Sequence, residues 1–291
     1  MRSEHISLNG QSFFVRSWGD ASQPPLLMLH GFPEYGGAWS DLAERLSDRF
    51  HCVAPDQRGY GQSWAPPGVK NYAIAQLVSD MVALIDRLGG RVTLLGHDWG
   101  AAVAYGITTY FPDRIERLII GNGVHPVPFQ RELAAGGAQS EASEYIAVLR
   151  AEGSEDRLSA DGFSRLKRLF SAKMSFDWMS PEIEAQYITE WSRPGRLHAM
   201  LNWYRASPLV VARPGEPITY LPPLPEDRLH VRCPHLLLWG MRDKALQYSS
   251  TDGLEHFAED LMRVTFDDAD HWLFHQIPEA CAASIRDWCP T

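Results

Sequence analysis

Short apolar runs recur along the chain, each ending in a polar residue or a glycine: "PLLMLHG" (25–31), "HCVAPD" (51–56), "VTLLGHD" (92–98) and "RLIIGNG" (117–123). None alternates apolar with polar. Continuous runs of this length are what strands buried on both faces look like, and such strands are parallel. Between them the period becomes helical. Over 72–90 the residues Ile74, Leu77, Val78, Met81, Leu84, Ile85 and Leu88 form one stripe, closed by Gly89 and Gly90. Ahead of the first run, "ISLNGQSFFVRSWG" (6–19) reads as two strands around Asn9-Gly10, a two-residue hairpin signal. Strand alternating with helix predicts an α/β fold with a mostly parallel, doubly wound sheet.

After Gly123 the pattern breaks. "HPVPFQRELAAGGAQ" (125–139) reads as an exit punctuated by proline and glycine, and 140–212 as helical segments rich in Trp and Tyr. "RPGEPITYLPPLPEDRLHVRCP" (213–234) is a proline-dense return. The α/β pattern resumes with "HLLLWGMRD" (235–243) and "MRVTFDDADHW" (262–272), and a closing helix ends near Trp288. The expected organisation is a core of 1–125 and 232–291 with an inserted helical cap (lid) of 126–231. Trp178, Trp191, Trp203 and Tyr187 are expected in the core of that cap.

Composition narrows the partners. A chain of 291 residues carrying a net charge of −9 has no electrostatic reason to hold nucleic acid or an anionic membrane. No run of about 18 apolar residues could span a bilayer. The beginning, "MRSEH", shows no secretory signal, and Cys52, Cys233, Cys281 and Cys289 form no C-x-x-C pair. Free thiols and a cytoplasmic location are expected; the oligomeric state stays open, monomer or homodimer.

The chemistry starts at "GHDWG" (96–100), the frame of a G-x-S-x-G nucleophile elbow with Asp98 in the serine's place. A helix N-cap would be the bland job for this aspartate. Two further groups stand at predicted strand ends, where open α/β sheets bind ligands. Asp243 follows "LLLWG" and His271 follows "RVTF". Nucleophile, acid, base is the chain order of α/β-hydrolases. Asp267, Asp268 and Asp270 rival Asp243, but they share the loop of His271 and read as solvated turn residues; the end of the preceding strand offers only Asn122. His271 and His275 have i, i+4 spacing without the glutamate of H-E-x-x-H, so no zinc is expected.

An aspartate nucleophile suits displacement at saturated carbon, giving an alkyl ester of the enzyme. Water activated by His271 would then attack the ester carbonyl, with Asp243 orienting the imidazole. The backbone N–H groups of Phe32 and Trp99 are the expected oxyanion donors. No metal or organic cofactor enters this chemistry.

On "HGFPE" (30–34), "DQRGYGQS" (56–63), "GHDWGA" (96–101), "LNWYRAS" (201–207) and "DADHW" (268–272), the chain resembles the epoxide hydrolases of the α/β-hydrolase fold nearly end to end. The resemblance implies an epoxide substrate opened to a vicinal diol, with water as the second reactant. It also implies two ring-opening tyrosines: Tyr204 in "NWYRA", and Tyr145 in "EYIAVLRAEG", where the family's Glu-Pro-Gly reads Glu152-Gly153. Packing is the alternative role for both. Haloalkane or haloacid dehalogenase is the second activity compatible with "HDWG", although Phe32 stands where haloalkane dehalogenases tend to carry asparagine and Trp99 where fluoroacetate dehalogenases carry arginine. A non-catalytic ligand-binding protein is the alternative of another class. Asp56 and Arg58 are expected to brace a turn, and the Phe32–Pro33 bond could take either isomer.

Overall fold

The computed structural model describes residues 1–221 and 223–289. Eight strands form one sheet: β1 Arg2–Leu8, β2 Gln11–Trp18, β3 Pro25–Leu29, β4 His51–Pro55, β5 Val92–His97, β6 Ile115–Gly121, β7 His235–Gly240 and β8 Leu261–Phe266. Their spatial order is β1-β2-β4-β3-β5-β6-β7-β8. β1 and β2 pair antiparallel, as do β2 and β4; all other neighbours are parallel. The first hairpin turns at Asn9 (φ 50°) and Gly10 (φ 77°), the doubly left-handed geometry that Asn-Gly favours.

Helices α1 Ser40–Leu46, α2 Ile74–Arg87, α3 Trp99–Tyr110, α10 Leu273–Gln276 and α11 Pro278–Trp288 flank the sheet, while α4 Pro126–Ala134, α5 Ala138–Ala142, α6 Tyr145–Arg150, α7 Ser154–Ser171, α8 Pro181–Trp191 and α9 Arg196–Ala206 lie between β6 and β7. β5 and β7 are buried at every position, which is why their sequences carry no two-residue alternation. No described helix is long and apolar enough to cross a membrane.

Three local features sharpen the sequence reading. The stretch 126–134, read as part of an exit punctuated by proline and glycine, is α4: Pro126 holds its first position and Pro128 its third, where an N–H has no intrahelical partner to lose. Ile74, counted in the apolar stripe of α2, is its first residue and 40% exposed. Helix α7 is broken inside by Asp161, Gly162 and Phe163, all at positive φ. Trp191, Trp203 and Tyr187 are buried, and Trp178 partly so.

Candidate active site

The three strand ends expected to carry chemistry meet at one point. β5 delivers Asp98 through a bend at φ 49°, ψ −118°, a strained backbone for a non-glycine residue. The glycines around it are required by close approach. A Cβ on Gly100 would run into the Leu29 carbonyl, one on Gly96 would lie 2.7 Å from the Gly100 carbonyl oxygen, and one on Gly31 would strike Asp98 itself. Although Asp98 immediately precedes α3, its carboxylate caps nothing. Instead Asp98 Oδ1 accepts a hydrogen bond from the Phe32 N–H at 2.8 Å. Trp99 opens α3, and an N–H at that position has no intrahelical acceptor. The peptide bond between Phe32 and Pro33 is cis.

His271 lies between two carboxylates. Its Nδ1 donates to Asp243 Oδ2 at 2.8 Å, and its Nε2 stands 3.8 Å from Asp98 Oδ2. The second distance exceeds a direct hydrogen bond but leaves the charges strongly coupled. Asp243 is saturated: Oδ1 accepts from the Ala245 and Leu246 N–H groups at 2.7 and 2.9 Å, and Oδ2 also accepts from Asn122 Nδ2 at 2.7 Å. Asn122, whose Oδ1 accepts from the Gly240 N–H at 2.7 Å, thus fixes the Asp243 carboxylate in place. Burial penalises a charge on His271, but Asp243 and then Asp98 outweigh it and lift the imidazole to about 9. Burial likewise works against ionised Asp243; the imidazolium and the N–H donors overcome it and hold its pKa below the ordinary value.

Of the rival aspartates, none touches the imidazole. Asp268 pairs with Arg242 at the surface. Asp270 is not the solvated turn residue expected; it is buried, with Oδ1 accepting from the Trp272 N–H and Oδ2 from the Ser175 N–H, so it ties the loop of His271 to the segment between α7 and α8. His275 turns away from His271 and bonds Glu34.

Above Asp98 lies a cavity of about 350 Å³, lined by Trp99, Tyr145 and Tyr204 among others. Both tyrosine rings meet edge to face with centroids 6.2 Å apart, and Tyr204 also stands edge-on to Phe32 and Trp99 at 5.1 Å each. Burial, reinforced by the charge of Asp98 and, for Tyr204, by Tyr145, raises the pKa of both phenols well above the ordinary value, so they stay protonated. Arg150, at the end of the helix that Tyr145 begins, donates to the carbonyls of Tyr204, Ser207 and Leu209 at 2.8, 3.1 and 2.9 Å. One guanidinium thereby fixes the two tyrosine-bearing helices against each other, a link with no trace in local sequence.

Beyond this end the wall is apolar. Among the described residues that line it, Asp98 alone is charged. Gln130 is spent on both polar atoms of Val210, Thr109 donates to the Tyr105 carbonyl, and Tyr72 donates to the Pro66 carbonyl. Asp56 and Arg58 lie elsewhere, as braces. Asp56 accepts from Arg16 and from the Gly36 and Gln62 N–H groups, and Arg58 makes a two-pronged pair with Asp80.

This arrangement of sheet, elbow and inserted helices has counterparts among known proteins. The α/β hydrolase fold family matches residues 24–278. The AB hydrolase superfamily protein YfhM of Bacillus subtilis is 30% identical, covering 96% of this chain and 94% of its own. Epoxide hydrolase 3 of Mus musculus is also 30% identical, covering 94% of this chain and 72% of its own. A solved structure from work on novel epoxide hydrolases of the α/β-hydrolase superfamily, found in metagenomes from hot environments, superposes with a TM-score of 0.89 at 35% identity, over 99% of this chain and 98% of that one. The chain belongs to the epoxide hydrolases of the α/β-hydrolase fold. The Bacillus megaterium epoxide hydrolase, solved with an inhibitor, agrees in fold with this hydrolase at a TM-score of 0.85 and 29% identity, over 97% of this chain and 98% of that one. Neither a dehalogenase nor a non-catalytic binding protein is favoured by these relatives.

Proposed function

We propose that this enzyme opens epoxides carrying an apolar body to vicinal diols, through an alkyl ester on Asp98. The reading rests above all on one observation: a carboxylate at an elbow, free of any capping duty, faces a cavity shared with two protonated phenols. Asp98 attacks an epoxide carbon, and Tyr204 and Tyr145 hydrogen-bond the ring oxygen and supply its proton as the C–O bond breaks. A ring oxygen leaves as an alkoxide, a strong base, and phenols answer that need; a halide would have no use for their protons.

In the second half, water attacks the carbonyl of the ester. His271 takes the proton, Asp243 steadies the resulting imidazolium, and the N–H groups of Phe32 and Trp99 hold the oxyanion. The coupling of Asp98 to His271 sets the timing. While Asp98 is ionised, its charge helps keep a proton on the ring. Esterification removes that charge, so the ring becomes a free base at the moment water must be activated.

The substrate's body follows from the wall. A polar group there would lose its water and find few partners, at a cost of about 1–3 kcal/mol. Residues 126–231 act as the cap over 1–125 and 232–291, contributing both tyrosines and much of the wall. A single turnover in heavy-oxygen water tests the scheme. Label should enter the Asp98 carboxyl, and styrene-type, aliphatic and terpene epoxides should yield diol. Halide release from haloalkanes or fluoroacetate without diol formation would overturn it.

A further inference from the structure

From Asp98 the cavity runs along one face of α3. Trp99, Ala102, Gly106 and Tyr110, three and four positions apart, all line it. They reach from the first residue of α3 to the last, a rise of about 16 Å. Asp98 stands at the inner end; at the outer end Tyr110 and Ile74 are 56% and 40% exposed. A volume of about 350 Å³ drawn out over that length is a narrow arm, fitted to one extended substituent.

The other side of the reaction centre is filled. Phe32, whose N–H bonds Asp98, and Trp272, whose ring centroid lies 4.9 Å from that of His271, both stand beside the triad, yet neither lines the cavity. Phe170 closes the gap between them. Its ring centroid is 5.7 Å from that of Phe32, 6.1 Å from that of Trp272 and 6.2 Å from that of Tyr145, and it is buried. Phe170, Trp272, Pro33 and Leu166 also border a separate void of about 10 Å³. That is room for no more than a water.

Local structure puts the ring there. After the left-handed break at Asp161–Phe163, the remaining turns of α7 bury Leu166 and Phe170, four positions apart on one face. Next to them Lys167 pairs with Glu184 of α8, and just past α7 the Ser175 N–H donates to Asp270. The segment carrying Phe170 is thus tied to α8 and to the loop of His271, which makes the ring a fixed wall.

We propose that Phe170 is a specificity-determining residue that restricts the enzyme to epoxides substituted on one ring carbon. The body of the substrate occupies the arm along α3, and the other ring carbon, bearing only hydrogen, faces Phe170. A trans-disubstituted epoxide carries groups on both carbons, so one of them meets the packed aromatic wall whichever carbon Asp98 attacks. Among aliphatic and terpene epoxides, those with the oxirane at a chain end are therefore turned over fastest.

The proposal rests on the epoxide reading above, and the unaltered enzyme tests it first. The oxides of 1-octene and of trans-4-octene are isomers of equal apolar bulk. Diol formation from the terminal isomer should show kcat/KM at least about tenfold above that from the internal one. Phe170→Ala joins the ring's space to the void behind it. It should raise kcat/KM for the internal isomer at least about tenfold and leave the terminal isomer within about threefold. That change in ratio separates the wall from the intrinsic reactivity of the two rings, which no variant alters. Phe170→Leu keeps more of the packing, should shift the ratio less in the same direction, and carries the test if the alanine variant does not fold. Equal kcat/KM for the two isomers on the unaltered enzyme would overturn the proposal, as would a folded variant that slows both alike or leaves their ratio unchanged. An unaltered enzyme that hydrolyses neither isomer would instead count against the epoxide reading itself.

Discussion

On the sheet side of the cavity the proposed working groups are charged or chargeable: Asp98, Asp243 and His271 stand at the ends of β5, β7 and β8, Asp243 saturated by hydrogen bonds and Asp98 accepting one, from the Phe32 N–H. On the helical side they are neutral: Tyr145 and Tyr204, set among aromatic rings and held by Arg150. The division follows from what each region can support. Strand ends and tight turns offer backbone N–H groups, such as those of Ala245 and Leu246, to steady a buried carboxylate. Apolar helix faces offer none, and burial there only pushes phenols further toward their protonated form. In the proposed scheme, charge for attack comes from one side and protons for the leaving oxygen from the other.

The sharpest break of that division is at its charged side. Asp98→Ala should abolish diol formation in a steady-state assay and give no adduct by mass, since among the described residues no other carboxylate reaches the cavity wall. Next, His271→Gln should slow turnover by about 10³-fold while leaving alkylation, so that the adduct accumulates on the intact protein. Absence of adduct in that variant would mean that His271 is needed before the ester forms.

The neutral side should respond less steeply and in a shared way. Tyr145→Phe or Tyr204→Phe alone leaves one phenol to donate, and a loss of about tenfold in kcat is expected; the double variant should lose about 10²-fold or more. Diol formation untouched by the double replacement would remove both from the scheme. Smaller still is the discrimination along the wall. A carboxylate-tailed epoxide should show kcat/KM at least about tenfold below its methyl-tailed counterpart, because Gln130 and Thr109 are already committed to backbone.

The two regions were also unequally legible. The elbow, the strand ends and the order Asp98, Asp243, His271 stand in the sequence because strand burial and tight turns are local. The helices α4 to α9 are harder to read. Prolines that signal a loop can open a helix, as Pro126 does, and the left-handed break at Asp161–Phe163 carries only one glycine as a sign. Hydrogen bonds between distant residues leave no pattern at all. Glu34 and His275 lie 241 positions apart, and Asp270 finds Ser175 across 95. Two clues to the buried contact of Glu34 with His97 were present: a histidine within the buried run "VTLLGH", and a glutamate closing "HGFPE". Each buried polar group implied a partner, but only the fold names it.

The smallest effect, and the one that links the two sides, is on stability against pH. His271 is held at about 9, above its ordinary 6.5, so its contribution is complete below about 6.5 and fades as pH climbs through about 9. Asp243 and Glu34 are held below their ordinary 3.8 and 4.5, so theirs are complete above those values and fade as acid protonates the folded carboxylates. Urea midpoints should therefore form a plateau from about 4.5 to 6.5 and fall on both sides. Asp98→Asn carries no charge toward Nε2, much as the ester would, so it should bring the alkaline decline to lower pH and leave the acid side nearly unchanged. An alkaline decline at the same pH in both proteins would mean that Asp98 does not hold the proton on His271, and the timing argued for the second half-reaction would fail with it.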